Sequence, residues 1–218
     1  MRNLGLIGLA AAALVTWFAT GVGQGAQPVA DTTLSTQEVR VGEASFGDLA
    51  ADALCDATSA SVAFVPAVAF KEGTINAGPF DQAAVEGLLQ NPGETLAVSS
   101  LSGAQIRQAI ERSLSRLPLP SGAFLQVSGM TVTFDPTAKR EERVKQILVG
   151  GSPINDAQRY EVAMPLSLAK GGSGYFQIFD AGSVVRQESV GMGSAIHTFA
   201  QAQGHVSYTG QGRLMPSN

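Results

Sequence analysis

The chain has 218 residues, enough for one sizeable domain whose hydrophobic core needs no disulfides. Its net charge is −4, and its densest run of charges, residues 139–145, mixes both signs, which excludes a basic surface for nucleic acid. A single cysteine, Cys55, excludes an internal disulfide and a cysteine-rich zinc site, and its place on the apolar side of a predicted helix indicates a structural thiol.

Residues 1–26 have the composition of an export segment. Arg2 supplies a positive start, and the uncharged apolar run that follows ends in small residues, as in a signal peptide. The run is also nearly long enough to cross a bilayer, so an uncleaved membrane anchor at residues 4–22 remains the alternative. In either case we expect the rest of the chain outside the cytoplasm, in the periplasm or the extracellular space. Residues 27–40 are polar, without an apolar period, and are predicted to be a linker.

The predicted folded unit covers residues 41–216. Its first element is a helix from Ser45, because apolar residues recur at three- and four-residue spacing in "SFGDLAADALCDATSA". Asp48, Asp52 and Asp56 follow one another four residues apart on another side of this helix. We interpret them as a solvent-exposed stripe, because one helix face cannot supply the further oxygen ligands that a cation needs.

The middle of the chain alternates short strands and helices. "SVAFV" predicts a short buried strand and "DQAAVEGLLQ" a brief helix. A strand from Thr95 leads into a helix that begins with a capping box, Ser102 with Gln105, and ends at Pro118.

The second half reads as strands, turns and a final helix. "SGAFLQVSGMTVTFDP", residues 121–136, predicts a hairpin that turns at Ser128–Gly129. A Gly150–Gly151 turn, a strand in "YEVAMPL", the loop "KGGSGYF" and a helix through Ile196 and Ala200 follow. Single strands between helices, mixed with consecutive strands, indicate an α+β fold with a mixed β-sheet and packed helices.

Residue types alone point to no catalytic centre. The two histidines, His197 and His205, have no carboxylate or cysteine at metal-ligand spacing, so we expect structural or surface roles for them and no metal site. The glycine loops lack the spacing of phosphate or dinucleotide sites, and no G-x-S-x-G segment occurs, so we also expect no cofactor.

The order of six segments, however, resembles the C-terminal domain of the 5'-nucleotidase family, from about Val41 to Pro216. These segments are "GEASFGDLAADAL", "SVAFVPAVAFKEGTI", "ETLAVSSLSGAQIRQAIERSL", "GAFLQVSGMTVTFDP", "RVKQILVGGSPINDAQRYEVAMPLSLAKGGSGY" and "GRLMP". The resemblance implies a domain that holds the nucleoside part of a substrate against a separate metallophosphatase domain. A chain with two histidines cannot supply a two-metal site of that kind, so we expect no autonomous hydrolysis.

The positions that the resemblance assigns to nucleoside binding are changed here. Where the family has the P-F-G-N segment, this chain has residues 91–94, so that Pro92 replaces a stacking aromatic and Glu94 an amide. Ser167 stands at the second stacking aromatic, and Ser173 replaces the acid of G-G-D-G-Y. Lys71 replaces the arginine of N-G-G-G-I-R and loses its bidentate fork.

We expect Lys71, Ser173 and Tyr175 to rim whatever ligand pocket remains. The other interpretation is a solvated lysine, a loop serine and a packing tyrosine. Three functions stay open. The first is an exported non-catalytic domain that binds a partner or a small nucleoside-like ligand. The second is the specificity subunit of a nucleotidase that a separate metallophosphatase completes in trans. The third is an envelope structural protein held by an uncleaved N-terminal helix.

Overall fold

The structure is a computed structural model that describes residues 26–217. Residue 218 and residues 1–25, which hold nearly all of the predicted export segment, lie outside the described residues. The helices are α1 (Ser45–Thr58), α2 (Gln82–Gly87), α3 (Gly103–Leu114), α4 (Leu166–Ala169) and α5 (Met192–Gln203). The strands are β1 (Val29–Ala30), β2 (Leu34–Ser35), β3 (Val62–Pro66), β4 (Thr74–Ile75), β5 (Gly78–Pro79), β6 (Thr95–Ser102), β7 (Leu125–Ser128), β8 (Met130–Phe134), β9 (Val144–Val149), β10 (Ser152–Pro153), β11 (Arg159–Pro165), β12 (Val184–Gly191), β13 (His205–Val206) and β14 (Leu214–Pro216).

Within residues 26–217 the strands form two main sheets and two small ones. The larger main sheet has the order β12-β6-β11-β3-β7, with β11 parallel to β3 and the other neighbours antiparallel. The second has the order β10-β9-β8-β14, and β14 runs parallel to β8. The small sheets are β13-β1-β5 and β2-β4. The expected α+β fold with a mixed sheet is confirmed.

Helix α1 lies in the core, against strands of the larger sheet and helix α5. Its apolar residues from Phe46 to Leu54 are fully buried, as is the strand β3 that follows. The capping box at Ser102 and Gln105 is present at the start of α3, as predicted. The helix ends at Leu114, short of Pro118.

The predicted hairpin at Ser128–Gly129 is wrong. Strand β7 pairs with β3 in the larger sheet, whereas β8 pairs with β9 and β14 in the second sheet. Gly129 is therefore the point where the chain changes sheets. Its φ is +73°, and a Cβ there would lie 1.8 Å from the carbonyl oxygen of Ser61, so the crossing requires glycine.

The predicted linker at residues 27–40 is also wrong. Two short strands, β1 and β2, lie in it, and Ala30, Leu34 and Val39 are buried. The buried amide of Gln126 continues this attachment, since it donates to the carbonyls of Val39 and Gly42. The segment could not be recognised as folded because its strands are two residues long and pair with distant parts of the chain.

The predicted stripe of exposed aspartates is wrong for two of its three members. Asp56 is exposed, but Asp48 is 1% exposed and Asp52 is partly buried. Asp52 accepts hydrogen bonds from both terminal nitrogens of Arg213, at 2.8 Å each, and from the hydroxyl of Tyr208. We call Glu43, Asp48, Asp52, Tyr208 and Arg213 the carboxyl network. It joins α1 to the segment that leads into β14.

Candidate functional site

Three segments meet where strands of the larger sheet begin or end. We call these segments, residues 66–71, 88–94 and 165–175, the loop cluster. Strands β3 and β11 run parallel and both end at this end of the sheet, while the antiparallel strand β6 begins there. The loop cluster therefore contains every position that the resemblance assigned to nucleoside binding. The fold assembles these positions although their residues have changed.

The first two segments are joined through their backbones. Gln90 N donates to the carbonyl of Ala69 at 2.8 Å, and Lys71 N donates to the carbonyl of Leu88 at 2.9 Å. A bridge between Phe70 and Leu89 lies between these two bonds, and both side chains are buried. The backbone of this part of the loop cluster is thus fixed by the core beneath it.

The second and third segments are joined by a side chain. An oxygen of Glu94 accepts a hydrogen bond from the backbone N–H of Ser167, 2.9 Å away, in the first turn of α4. Pro92 contributes through its carbonyl, which accepts from Gly193 N at the start of α5. At the positions where the resemblance expects a stacking ring and an amide, this chain therefore makes contacts within the protein.

Ser173 lies in a loop that Arg112 holds in place. The serine has a left-handed backbone with φ of 56°, an uncommon conformation outside glycine and asparagine. Arg112 donates to the carbonyls of Ser173 and Gly174, at 3.4 Å and 3.2 Å. Arg112 also lines a cavity of about 680 Å³ together with Arg107 and Arg140.

Tyr175 is a core residue. Its side chain is fully buried, its hydroxyl donates to the carbonyl of Ala123 at 2.6 Å, and its ring stacks on Phe179 with centroids 5.1 Å apart. Burial raises the pKa of the phenol well above its ordinary value, so it stays neutral. Its place in the structure is that of the packing tyrosine, and it does not line a rim.

Lys71 and Arg112 line different cavities. The side chain of Lys71 is exposed and lines a cavity of about 370 Å³ with Thr36, Gln90 and Pro120. The three predicted site residues are therefore not gathered in one pocket: Tyr175 is buried in the core, and the cavity that Lys71 lines does not include Ser173.

Within residues 26–217, no three His, Cys, Asp or Glu side chains come close enough together to hold a metal ion. His205 pairs with Asp31, with 2.8 Å between Nδ1 and the carboxylate oxygen. His197 is partly buried on α5.

Comparison with known proteins identifies the fold as one carried by nucleotide-hydrolysing enzymes. The structure of a 5'-nucleotidase precursor from Thermus thermophilus superposes with a TM-score of 0.79 at 25% identity, over 89% of this chain and 40% of that chain. The NAD nucleotidase NadN of Haemophilus influenzae shares the fold, with a TM-score of 0.74 at 16% identity, over 89% of this chain and 39% of that chain.

The sequence itself gives the family. Residues 21–181 match the family described as 5'-nucleotidase, C-terminal domain, and the chain belongs to that family. It is 32% identical over 149 residues to the trifunctional nucleotide phosphoesterase protein YfkN of Bacillus subtilis, which covers 64% of this chain and 10% of that protein. It is 32% identical over 96 residues to the human 5'-nucleotidase, over 40% of this chain and 17% of that protein. The chain thus spans a small part of the length of these relatives.

Sequence reasoning missed two residues that shape the loop cluster. Glu94 was noted only as a lost amide, and its bond to Ser167 depends on two segments more than seventy residues apart. Nothing in the sequence marked Arg112 as part of the loop cluster, because the helix dipole alone makes a basic residue common in the last turn of a helix.

Proposed function

We propose that this chain is an exported binding domain of the 5'-nucleotidase C-terminal type, which holds a small ligand or partner at the loop cluster and does not itself carry out hydrolysis. The observation that carries the proposal is the contact between Glu94 and Ser167. The fold of the family is kept, but two of the positions that the resemblance assigns to nucleoside binding are hydrogen-bonded to each other. In nucleic-acid sites, stacking on an aromatic ring contributes about 1–3 kcal/mol of binding free energy per base. Because the stacking rings are absent at these positions, we expect base recognition to be weak.

The direct test is thermal unfolding of the purified chain against nucleosides, nucleotides and nucleotide sugars, with and without divalent metal. A ligand at about 100 times its dissociation constant adds about 2.7 kcal/mol to the free energy of unfolding. We expect the compounds that bind to depend on polar rather than base contacts. An unchanged Tm across the whole panel would contradict binding of a small ligand, and a protein partner would then be the remaining ligand of the loop cluster.

Lys71 provides the variant for this test. We expect Lys71→Ala to weaken binding of any anionic compound that raises the Tm, because the exposed ammonium faces the 370 Å³ cavity. The matched control is Lys139→Ala, an exposed lysine between β8 and β9. Equal binding by both variants would remove Lys71 from the site.

The non-catalytic part of the proposal rests on the residue types. His197 and His205 lie on different elements, and His205 is already paired with Asp31. We expect no metal-dependent release of phosphate from nucleotides by the purified chain. Release that follows added metal and disappears with a chelator would contradict the proposal.

Export rests on the apolar segment at residues 1–26. The helices of residues 26–217 are all too short or too polar to cross a bilayer. Mass spectrometry of the N-terminus from native cells separates a cleaved secreted form from one that keeps residues 4–22 as an anchor.

A second candidate function, completion of a nucleotidase in trans by a separate metallophosphatase, is favoured by exposed apolar side chains near the loop cluster. Val68 is 47% and Phe176 69% exposed. Leu119, 61% exposed, precedes Pro120, which lines the same cavity as Lys71. We expect Phe176→Ser to abolish co-purification with such a protein, whereas Val185→Ser, exposed on β12, retains it. Retention by both would contradict this surface.

A further inference from the structure

The carboxyl network contains more negative groups than its one guanidinium can neutralise. Arg213 gives both terminal nitrogens to Asp52, which also accepts from Tyr208 and Ser128. Asp48 is left with the Nε of Arg213 at 3.6 Å, beyond hydrogen-bond distance. Both oxygens of Asp48 are buried and, within the described residues, neither has a hydrogen-bond partner.

Glu43 is the neighbour that could satisfy Asp48. Its carboxylate accepts hydrogen bonds from the backbone N–H groups of Gln211, Arg213 and Leu214, which suit a charged acceptor. Glu43 raises the pKa of Asp48 through its negative charge and through a side-chain hydrogen bond, which two ionised carboxylates cannot make because they have no proton to share. One proton on Asp48 would supply the missing donor and remove the repulsion between the two groups.

The other elements packed against α1 offer Asp48 little further charge. Strands β2, β3, β6 and β7 carry no titratable side chain, and α5 carries only His197. In β11, Arg159 donates to Ser100, the hydroxyl of Tyr160 accepts from the backbone N–H of Asn155, and Glu161 pairs with Arg186. The titratable and charged groups that act on Asp48 are therefore those of the network: Glu43, Asp52, Tyr208 and Arg213.

We propose that Asp48 is protonated in the folded protein and donates a hydrogen bond to Glu43, and that loss of this proton in alkaline solution releases residues 208–216 from α1. This segment includes β14, which is the edge strand beside β8. Through Arg213 and the three backbone bonds to Glu43, the network holds it against α1. The inference goes beyond the proposed function, since the loop cluster takes no part in it.

The direction of the pH effect follows from the environment of Asp48. Burial raises its pKa to about 8, Arg213 opposes the rise, and Glu43 adds to it. Because the folded protein binds this proton more tightly than the unfolded chain, the contribution of Asp48 to stability is complete below its unfolded pKa of 3.8. It is lost as the pH rises through about 8.

The test compares Asp48→Asn with Asp56→Asn in the full chain. The amide introduced at position 48 can donate to Glu43 at every pH, whereas Asp56 lies two turns further along α1 and is exposed. We expect the Tm of Asp48→Asn to exceed that of wild type by a margin that grows between pH 5 and pH 9. Asp56→Asn should follow the wild-type curve. A margin that does not change with pH would overturn the proposal.

Two measurements on the wild-type protein test the protonation of Asp48 and the release of residues 208–216 even if Asp48→Asn fails to fold. Hydrogen exchange of residues 208–216, corrected for the intrinsic pH dependence, should accelerate at least several-fold from pH 7 to pH 9 relative to α3. The carboxyl carbon of Asp48, followed by NMR, should titrate above pH 7. An ionised Asp48 at pH 6, or uniform exchange in both segments, would contradict the proposal.

Discussion

The carboxyl network and the loop cluster use similar polar residues in opposite ways. In the network, Asp48 is 1% exposed, and partly buried hydrogen bonds hold Asp52 to Arg213 and Tyr208. In the loop cluster, Glu94 bonds Ser167 at a partly exposed position, and Lys71 extends into solvent. Burial therefore makes the first region a determinant of stability, and exposure leaves the second free to change without loss of the fold.

The largest effect should come from Arg213. Replacing it with methionine, Arg213→Met, leaves the partly buried carboxylate of Asp52 without its counter-charge and without two of its hydrogen-bond donors. We expect a loss of about 3–5 kcal/mol in the free energy of unfolding, measured by denaturant titration. The exposed Arg140 provides a control: Arg140→Met should change stability by no more than about 0.5 kcal/mol. Similar losses for the two variants would show that the network contributes little.

A smaller loss is expected at Gly129, next to the Ser128 that bonds Asp52. Gly129→Ala adds a Cβ against the carbonyl oxygen of Ser61 and forces alanine to a positive φ, so we expect a loss of more than about 2 kcal/mol. Gly210→Ala is the matched control, because its φ is also positive but a Cβ there meets no atom within 4 Å. It should cost about 1 kcal/mol, the strain alone. Equal losses would mean that the close contact with the carbonyl oxygen of Ser61 adds nothing to the cost of the substitution.

In the loop cluster, Glu94→Ala should lower the free energy of unfolding by about 1 kcal/mol, because one hydrogen bond to Ser167 N is lost at a partly exposed site. Glu94→Gln keeps an acceptor and should cost less. Chemical denaturation measures both variants. A loss at Glu94→Ala comparable to that at Arg213→Met would remove the difference between the two regions.

The smallest effect should belong to the surface pair Arg107–Asp156, with 3.2 Å between its charged atoms and both side chains well exposed. A double-mutant cycle of Arg107→Ala and Asp156→Ala should give a coupling of at most about 0.5 kcal/mol. This coupling should shrink in high salt. A larger, salt-insensitive value would show that exposure alone does not separate the two regions.

Local signals predicted the elements well. The capping box at Ser102, the brief helix after Asp81 and a strand after the Ser128–Gly129 turn all lie where the sequence indicates. Each depends on residues a few positions apart, and the family resemblance supplied the order of the elements.

The errors concern partners distant in the chain. The turn at Gly129 looked like a hairpin because a tight Ser-Gly turn between two apolar strands is the usual hairpin signal. Only the approach to Ser61 and the pairing with β3 show that the strands belong to different sheets. The aspartates of α1 were placed in solvent because their partner, Arg213, lies 161 residues from Asp52.

The candidate site was predicted in part. The resemblance located the three segments that form the loop cluster, and the fold brings them together. The role of each residue was harder to predict, since Tyr175 could be assigned to the core only once Ala123 and Phe179 were seen beside it.

The position of β14 also bears on when the protein can fold during its synthesis. Its partner β8 lies about eighty residues earlier, and the arginine beside it reaches back to the first helix. Contacts between such distant residues form slowly and require nearly the whole chain. A nascent chain that has not yet reached Arg213 leaves Asp52 of α1 without its counter-charge and β8 without its edge strand. We therefore expect the growing chain to remain incompletely folded until Arg213 and β14 have been made.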